Sequence, residues 1–236
     1  MRLDKYLAGA AQLTRSAART AIGSGSVCVN GAVCKKADAP VADTDQVTLA
    51  GKSLAREEYV YIMLHKPQGV VSASADKRDT TVVDLVQSAY PRRTLFPAGR
   101  LDKTSTGFVL LTDDGAFAHD ILAPKRHVPK TYKVLLDTPV TPAMAAAFEA
   151  GVTLADGEVM KSAGLVPDAN HPCSATVVLH QGVYHQIKRM FGQLGAGVNG
   201  LHRLAIGGLW LDETLAPGQW RPITPAELEK LQTGGG

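Results

Sequence analysis

Hydrophobic residues at the start of the chain recur with the spacing of an α-helix. In the segment RLDKYLAGA, Leu3, Tyr6 and Leu7 share one apolar face at positions i, i+3 and i+4. The next segment, RSAARTAIG, predicts a second helix that begins after a capping hydroxyl, Thr14 or Ser16, and ends at a glycine. Two short helices are therefore predicted before the first strand.

A small curled sheet is predicted to follow these helices. The dipeptide Asn30-Gly31 separates the runs SVCV and AVC, and Asn-Gly in this setting is typical of a two-residue β-hairpin. The run DQVTLAG predicts another strand. The polar segment GKSLAREE, residues 51–58, predicts a linker to the rest of the chain.

Strands dominate the pattern after residue 58. Apolar runs predict strands in the segments YVYIMLHK, GFVLLT, KTYKVLLD, ATVVLH and WRPI. Helices are predicted for TPAMAAAFEAG, YHQIKRMFGQLG and TPAELEKL; in the first of these Thr141 is the cap and Pro142 the first residue. Because strands and helices do not alternate regularly, the pattern predicts an α+β fold with a largely antiparallel sheet.

Composition and motifs exclude several classes of protein. The 236 residues are 45% hydrophobic, which suits an ordinary buried core, and no apolar run reaches the roughly 18 residues of a membrane span. The charged start MRLDKYLAG lacks the apolar stretch of a signal peptide, so we expect a cytoplasmic protein. The three cysteines form no CxxC pair, and no phosphate-binding glycine motif is present. We therefore expect no metal, nucleotide or redox cofactor.

Basic residues are concentrated near the start of the chain. Residues 1–57 contain eight Lys or Arg and five Asp or Glu, whereas the remainder contains 17 of each. A basic first part joined to a neutral second part indicates that the first part holds a polyanion.

One carboxylate, Asp102, lies between Arg100 and Lys103 in the segment GRLDKTSTG. A surface cluster of ion pairs would explain this segment, and on these nine residues alone it is the commoner arrangement. A catalytic carboxylate that nearby cations keep ionised would explain it as well. The segment by itself leaves both interpretations open.

The chain resembles two known families in succession. RLDKYLA, TRSAARTAI and GSVCVNG resemble the αL-motif RNA-binding domain named after a ribosomal small-subunit protein. LHKPQGVVS, AGRLDKTSTGFVLLTDDG, KTYKV and GVYHQIKRMF resemble successive motifs of the RsuA family of pseudouridine synthases. The resemblance covers nearly the whole chain. It implies an RNA-binding domain over residues 1–57 and a synthase domain over residues 58–236, built on a largely antiparallel mixed β-sheet with flanking helices.

The resemblance also implies a reaction, the conversion of uridine in RNA to pseudouridine. The C1′–N1 glycosidic bond breaks, the uracil turns over in place, and a C1′–C5 bond forms. This chemistry needs no cofactor, in agreement with the motifs that the chain lacks.

Four residues of the second domain match active-site positions of the family. Asp102 matches the essential aspartate, which acts as a nucleophile or as a base. Lys188 matches the basic residue that pairs with this aspartate, and Tyr132 matches a tyrosine that can stack on the uracil. Arg100 matches an arginine that binds phosphate and helps to fill the space left by the flipped base. Without the resemblance, Tyr132 would be a strand residue buried for packing and Lys188 a solvated helix residue.

The first domain offers a set of candidate phosphate contacts on and around its two helices. Each contact of this kind adds salt-dependent affinity with little sequence information. Individually these residues are ordinary surface charges, but as a group they favour RNA. They are Arg2, Lys5, Arg15 and Arg19.

The segment Tyr184-His185-Gln186, followed by Ile-Lys, resembles the family members that act on small-subunit ribosomal RNA. Members acting on the large-subunit RNA mostly have Asn-Arg-Gln, usually followed by arginine. We therefore expect the partner to be small-subunit (16S) ribosomal RNA or its assembly intermediate. We also expect a monomer, and we assign His185 no catalytic role. The alternatives are a large-subunit (23S) synthase and a non-catalytic RNA-binding assembly factor. A protein that only binds RNA would need none of the three residues Asp102, Tyr132 and Lys188.

Overall fold

The computed structural model describes residues 1–11, 13–42, 44–54, 59–123 and 128–232. The chain forms two compact units: Met1–Tyr59 with Gln87–Thr94, and Val60–Val86 with Leu95–Gly236. The boundary predicted between residues 57 and 58 lies outside the described residues and stays a prediction. In the described ranges, no helix is both long enough and apolar enough for a membrane span.

The first unit has two helices and a four-stranded antiparallel sheet with strand order β2-β1-β3-β4. Thr14 is the helix cap, because its Oγ1 accepts a hydrogen bond from the backbone N–H of Ala17 at 2.8 Å. Asn30 and Gly31 have φ angles of 51° and 80°, as a type I′ hairpin requires, so this prediction is confirmed. The elements are α1 (Leu3–Ala10), α2 (Arg15–Gly23), β1 (Val27–Val29), β2 (Ala32–Val33), β3 (Val47–Leu49) and β4 (Lys52–Leu54).

The interpretation of residues 51–58 as a linker is wrong for its first part. Lys52–Leu54 form β4, which pairs with β3 through a turn in which Ala50 and Gly51 have φ angles of 49° and 77°. An alanine with positive φ is uncommon, so the pair Ala-Gly gave no hairpin signal. Residues 55–58 lie outside the described part of the chain.

The second unit is built on a nine-stranded mixed sheet with the main order β11-β12-β8-β13-β7-β5-β15, to which β6 and β14 add at β7 and β13. Among its described strands, β13 and β7 are parallel and the other pairs are antiparallel. The strands are β5 (Tyr61–Lys66), β6 (Phe96–Pro97), β7 (Thr106–Thr112), β8 (Lys130–Leu136), β11 (Gly164–Pro167), β12 (Ser174–Leu179), β13 (Val198–Ile206), β14 (Leu209–Trp210) and β15 (Trp220–Pro222).

Helices and one small hairpin flank this sheet, which confirms the α+β class. The helices are α3 (Gly115–Leu122), α4 (Pro142–Ala150), α5 (Gln186–Gln193) and α6 (Pro225–Gln232), and the hairpin consists of β9 (Val152–Thr153) and β10 (Val159–Met160). Thr141 caps α4, as predicted. The strand β13 and the helix α3 are not predicted from the sequence pattern.

Each unit buries its own apolar core. In the first unit, Leu3 and Leu7 of α1 pack with Ile22 of α2 and Val27 of β1. In the second unit, residues from the central strands form the core together with α3 and α6, and fully buried members include Met63, Phe108, Leu110 and Leu231. Helix α5 packs against α4, where the rings of Phe148 and Phe191 lie 4.6 Å apart.

The centre of the sheet brings three strands into register near the start of β7. Gly107 on β7 is opposite Arg203 on β13, which is opposite Tyr132 on β8. Gly107 has a φ angle of 105°, and a Cβ atom there would lie 2.6 Å from the backbone nitrogen of Arg203 and closer still to its carbonyl oxygen. Only glycine lets these parallel strands approach so closely. The loop containing Asp102 leads directly into this junction.

Candidate active site

The loop before β7 is held in place by hydrogen bonds to the segment that follows β5. The Ser72 hydroxyl donates to the carbonyl of Leu101 at 2.9 Å and accepts from the N–H of the same residue at 3.0 Å. The N–H of Gly69 donates to the Lys103 carbonyl at 2.8 Å. Both neighbours of Asp102 in the chain are therefore fixed through their backbones.

A buried lysine, Lys66, binds the same loop through backbone carbonyls. Lys66, at the end of β5, is fully buried and donates to the carbonyls of Ser105 at 2.7 Å, Pro67 at 3.0 Å and Lys103 at 3.5 Å. Burial lowers the pKa of the Lys66 ammonium from 10.5 to about 8; the charge of Asp102 opposes this change and that of Arg203 adds to it. Lys66 thus supports the loop without reaching solvent.

The lowered pKa of Lys66 predicts how stability changes with pH. Between pH 8 and 10.5 the unfolded chain still binds the proton that folded Lys66 has released, so this group makes the folded state more stable as the pH rises. In urea titrations, the unfolding free energy of the wild type minus that of Lys66→Met should rise by about 1 to 3 kcal/mol across this range. A difference that is constant or falls would contradict the assignment.

Asp102 lies between two side chains from the start of α5. Lys188 donates to Oδ2 of Asp102 at 3.0 Å and to the Thr104 hydroxyl at 3.2 Å, and Nε2 of His185 lies 3.1 Å from Oδ1. The Asp102 side chain is 26% exposed, so the carboxylate is half-buried but accessible. A carboxylate held in this way between an ammonium and an imidazole is suited to act as a nucleophile or a base at the surface of a binding site.

The ion pairs around Asp102 differ from those that the sequence suggests. Lys103 pairs with Asp79 at 2.7 Å, so it does not make the ion pair with Asp102 that a surface cluster of Arg100, Asp102 and Lys103 would contain. Residues 102–105 form a turn, closed by the N–H of Ser105 donating to the Asp102 carbonyl at 3.0 Å, and the ion-pair partner of Asp102 comes instead from α5. Arg100 is exposed.

Tyr132 is buried in the middle of β8, between Val177 on β12 and Arg203 on β13. Its hydroxyl forms no hydrogen bond with the residues that the structure describes. The structure thus brings Asp102 and Lys188 into contact, while Tyr132 lies at the central strand junction and the role of its ring stays a prediction.

Two residues of this site were not found by sequence reasoning. From the sequence, His185 was assigned no catalytic role, although its side chain contacts Asp102 directly, and Lys66 was assigned no function. The available signal for His185 was its position immediately before α5; for Lys66 there was none, because a lysine that ends a strand is usually solvated. Arg203, like Lys66, is a buried cation to which no function was assigned from the sequence. Its Nε donates to the Phe108 carbonyl at 2.6 Å.

In the first unit, a buried carboxylate organises part of the predicted phosphate-binding group. Asp4 is 1% exposed and pairs with Nε of Arg2 at 3.2 Å and Nε of Arg19 at 3.1 Å. Burial acts to raise the pKa of Asp4, but the hydrogen bonds from Arg19 and Arg2 outweigh it, so the pKa lies below its usual value. Lys5 and Arg15 are exposed. The RNA contacts of all four basic residues stay predictions.

Within the described ranges, no group of three or more His, Cys, Asp or Glu side chains is arranged to hold a metal ion.

Comparison with known proteins assigns the class of this fold and site. A model of the family described as RNA pseudouridylate synthase matches residues 60–193, and a model of the S4 domain matches residues 1–47. The chain is 42% identical to ribosomal small subunit pseudouridine synthase A of Haemophilus influenzae, covering 98% of this chain and 99% of the relative. It is 41% identical to the uncharacterized RNA pseudouridine synthase YtzG of Bacillus subtilis, covering 98% of each.

A solved structure agrees with these relatives. A crystal structure of a pseudouridylate synthase is 40% identical, covers 98% of this chain and 99% of that chain, and superposes with a TM-score of 0.69. The protein is thus an RNA-modifying isomerase with an S4 domain before its catalytic domain. The chain belongs to the RNA pseudouridylate synthase family, and the predicted family resemblance is confirmed.

Proposed function

We propose that this protein converts a specific uridine of bacterial small-subunit (16S) ribosomal RNA to pseudouridine. The observation that carries the proposal is the half-buried Asp102 carboxylate, which Lys188 and His185 hold from the start of α5. The substrate assignment is supported by the segment Tyr184-His185-Gln186 and by relatives named ribosomal small subunit pseudouridine synthase A.

The proposed reaction rearranges bonds within one nucleotide. The C1′–N1 bond breaks, the uracil turns over, C5 bonds to C1′, and the proton that C5 loses is balanced by one gained at N1. Asp102 supplies the carboxylate that attacks the nucleotide or accepts a proton. Lys188 orients this carboxylate, because its ammonium donates a hydrogen bond to Oδ2 at 3.0 Å.

Other side chains are proposed to bind and hold the RNA. Tyr132 stacks on the target uracil, and the exposed guanidinium of Arg100 takes part of the space that the flipped base leaves. The cations Arg2, Lys5, Arg15 and Arg19, in the proposed domain of residues 1–57, contact RNA phosphates, and Asp4 fixes two of them. The catalytic domain of residues 58–236 acts on the base, and the enzyme works as a monomer in the cytoplasm, where its ribosomal substrate is assembled.

The substrate assignment predicts a selective reaction. Full-length protein, with EDTA present and no added cofactor, should form pseudouridine in small-subunit but not in large-subunit ribosomal RNA taken from cells that lack the gene. Chemical mapping of pseudouridine at single-nucleotide resolution measures the modification of both RNAs. Specificity should depend on RNA shape and on bases outside paired helices, since an A-form helix hides its base edges.

The form of the RNA is part of this experiment. Naked small-subunit RNA and a small-subunit assembly intermediate should be assayed side by side, because an enzyme that requires a structured precursor would leave the naked RNA unmodified. Modification of the large-subunit RNA, with both small-subunit forms unchanged, would refute the assignment and favour a large-subunit synthase.

A further inference from the structure

Two adjacent aromatic side chains stack on each other immediately before α5. The rings of Tyr184 and His185 have centroids 3.8 Å apart and planes only 18° apart. His185 has φ and ψ angles of 51° and 27°, which is the left-handed region that residues other than glycine rarely adopt. This backbone conformation is found at functional sites more often than elsewhere.

The backbone around this pair is held by a buried glutamine. Gln186 is almost fully buried; its Oε1 accepts from the N–H of Val183 at 3.4 Å and its Nε2 donates to Oε1 of Gln181 at 3.3 Å. The N–H of Arg189 donates to the His185 carbonyl at 2.9 Å, which closes the first turn of α5. The stacked pair therefore stands on a braced segment.

The inner ring of the pair is connected to the proposed catalytic carboxylate. Nε2 of His185 lies 3.1 Å from Oδ1 of Asp102. Lys188 occupies the other oxygen of Asp102. The stack thus lies at the edge of the site where the target nucleotide is proposed to react.

The outer ring is unusually open to solvent. Tyr184 is 74% exposed, the largest value among the exposed large hydrophobic residues of the described chain, where Val159 follows with 65%. One face of the Tyr184 ring rests on His185, and this exposure leaves the other face accessible. An open aromatic face beside a nucleotide-modifying site is suited to stacking with a base.

We propose that Tyr184, backed by His185, is a stacking platform for an unpaired base that flanks the target uridine. This inference rests on the proposed function. The flanking base is the fitting occupant, because the target base must reach Asp102 whereas Tyr184 projects into solvent. Single-stranded RNA bases are commonly bound in this way, by stacking on aromatic side chains.

The experiment measures RNA affinity and turnover for three full-length variants. Tyr184→Leu removes the aromatic face, and we expect Kd and KM for the RNA to rise about 10- to 100-fold, with kcat changed much less. Tyr184→Phe retains the ring and should recover most of the affinity. Trp210→Leu is the matched control, since Trp210 is an exposed aromatic residue on β14 and should leave Kd, KM and kcat unchanged.

A fluorescent base reports the stacking itself. The nucleotides flanking the target are replaced one at a time by 2-aminopurine, whose fluorescence falls when it stacks. At one of these positions, wild-type protein and Tyr184→Phe should quench the signal and Tyr184→Leu should not. A merely structural role of Tyr184 would not produce this pattern.

The outcomes separate the platform from the proposed function. Wild-type turnover on ribosomal RNA tests the function; if no ribosomal RNA is modified, both proposals are refuted. If the wild type is active and Tyr184→Leu has an unchanged Kd and KM, the platform alone is refuted. A loss confined to kcat, with Kd and quenching unchanged, would also overturn it, because Tyr184 would then act through Asp102.

Discussion

Asp102→Asn protein is expected to bind its RNA almost as tightly as the wild type and to form no detectable pseudouridine. The substitution keeps the shape of the side chain, and the amide oxygen can still accept a hydrogen bond from Lys188. It removes the negative charge and the nucleophilic oxygen, so the rate should fall by roughly 10³-fold or more. Single-turnover assays of pseudouridine formation and a filter-binding Kd on the same RNA provide the two measurements.

A carboxylate outside the site provides the control for this loss. The exposed Asp156 pairs with the half-buried Arg189 of the helix that carries Lys188, so Asp156→Asn makes an equal chemical change at a pair outside the site. Its turnover should match that of the wild type. Substantial activity in Asp102→Asn would remove Asp102 from the reaction, and a large loss of binding would give it a role in holding the RNA.

Gly107→Ala should destabilise the catalytic unit severely. The added Cβ would lie 2.6 Å from the backbone nitrogen of Arg203, and the backbone of this strand pair cannot withdraw without breaking the β7–β13 register. Alanine at a φ angle of 105° adds conformational strain. Together these effects should lower the unfolding free energy by about 3 kcal/mol or more. Urea unfolding followed by circular dichroism measures the change.

Gly115→Ala is the matched substitution for this prediction. Gly115 begins α3, and a Cβ there meets no atom within 4 Å. The variant should therefore be as stable as the wild type or slightly more stable, by about 0.5 kcal/mol. Equal stability of the two variants would show that the strands at Gly107 can separate at little cost.

Local signals in the sequence were sufficient for the elements that local interactions specify. The hairpin at Asn30 follows from a dipeptide, and α4 follows from a capping threonine with the proline after it. In α5, the apolar residues Ile187, Met190 and Phe191 are buried as their spacing predicts. These elements depend on contacts between residues close in the chain.

The elements that the sequence did not predict depend on partners far away in the chain. The central strand β13 contains His202 and Arg203, which are residue types usually found at the surface. The burial of Arg203 is explained only by its hydrogen bond to the Phe108 carbonyl, which the sequence does not reveal. Lys66 is buried because three loop carbonyls surround it, two of them more than 35 residues away. Such partners are defined by topology, and no spacing rule reveals them.

The candidate site, like the fold, could be predicted from the sequence only in part. The family resemblance identified Asp102 and Lys188, and the structure places them in contact. It could not indicate that Lys103 turns away to Asp79 or that His185 reaches Asp102, because both depend on the path of the loop in three dimensions. His185, which had no predicted role, is thus a neighbour of the Asp102 carboxylate only in the folded chain.

The bonds from Ser72, Gly69 and Lys66 to residues 101–105 have a consequence for the timing of catalysis. The conformational entropy of this loop is lost when the catalytic unit folds, before any RNA arrives. A preorganised loop need not be ordered during the encounter, so binding energy from the RNA remains available for unstacking and turning the base. The slow step of substrate capture should then be the rearrangement of the RNA rather than of the protein around Asp102.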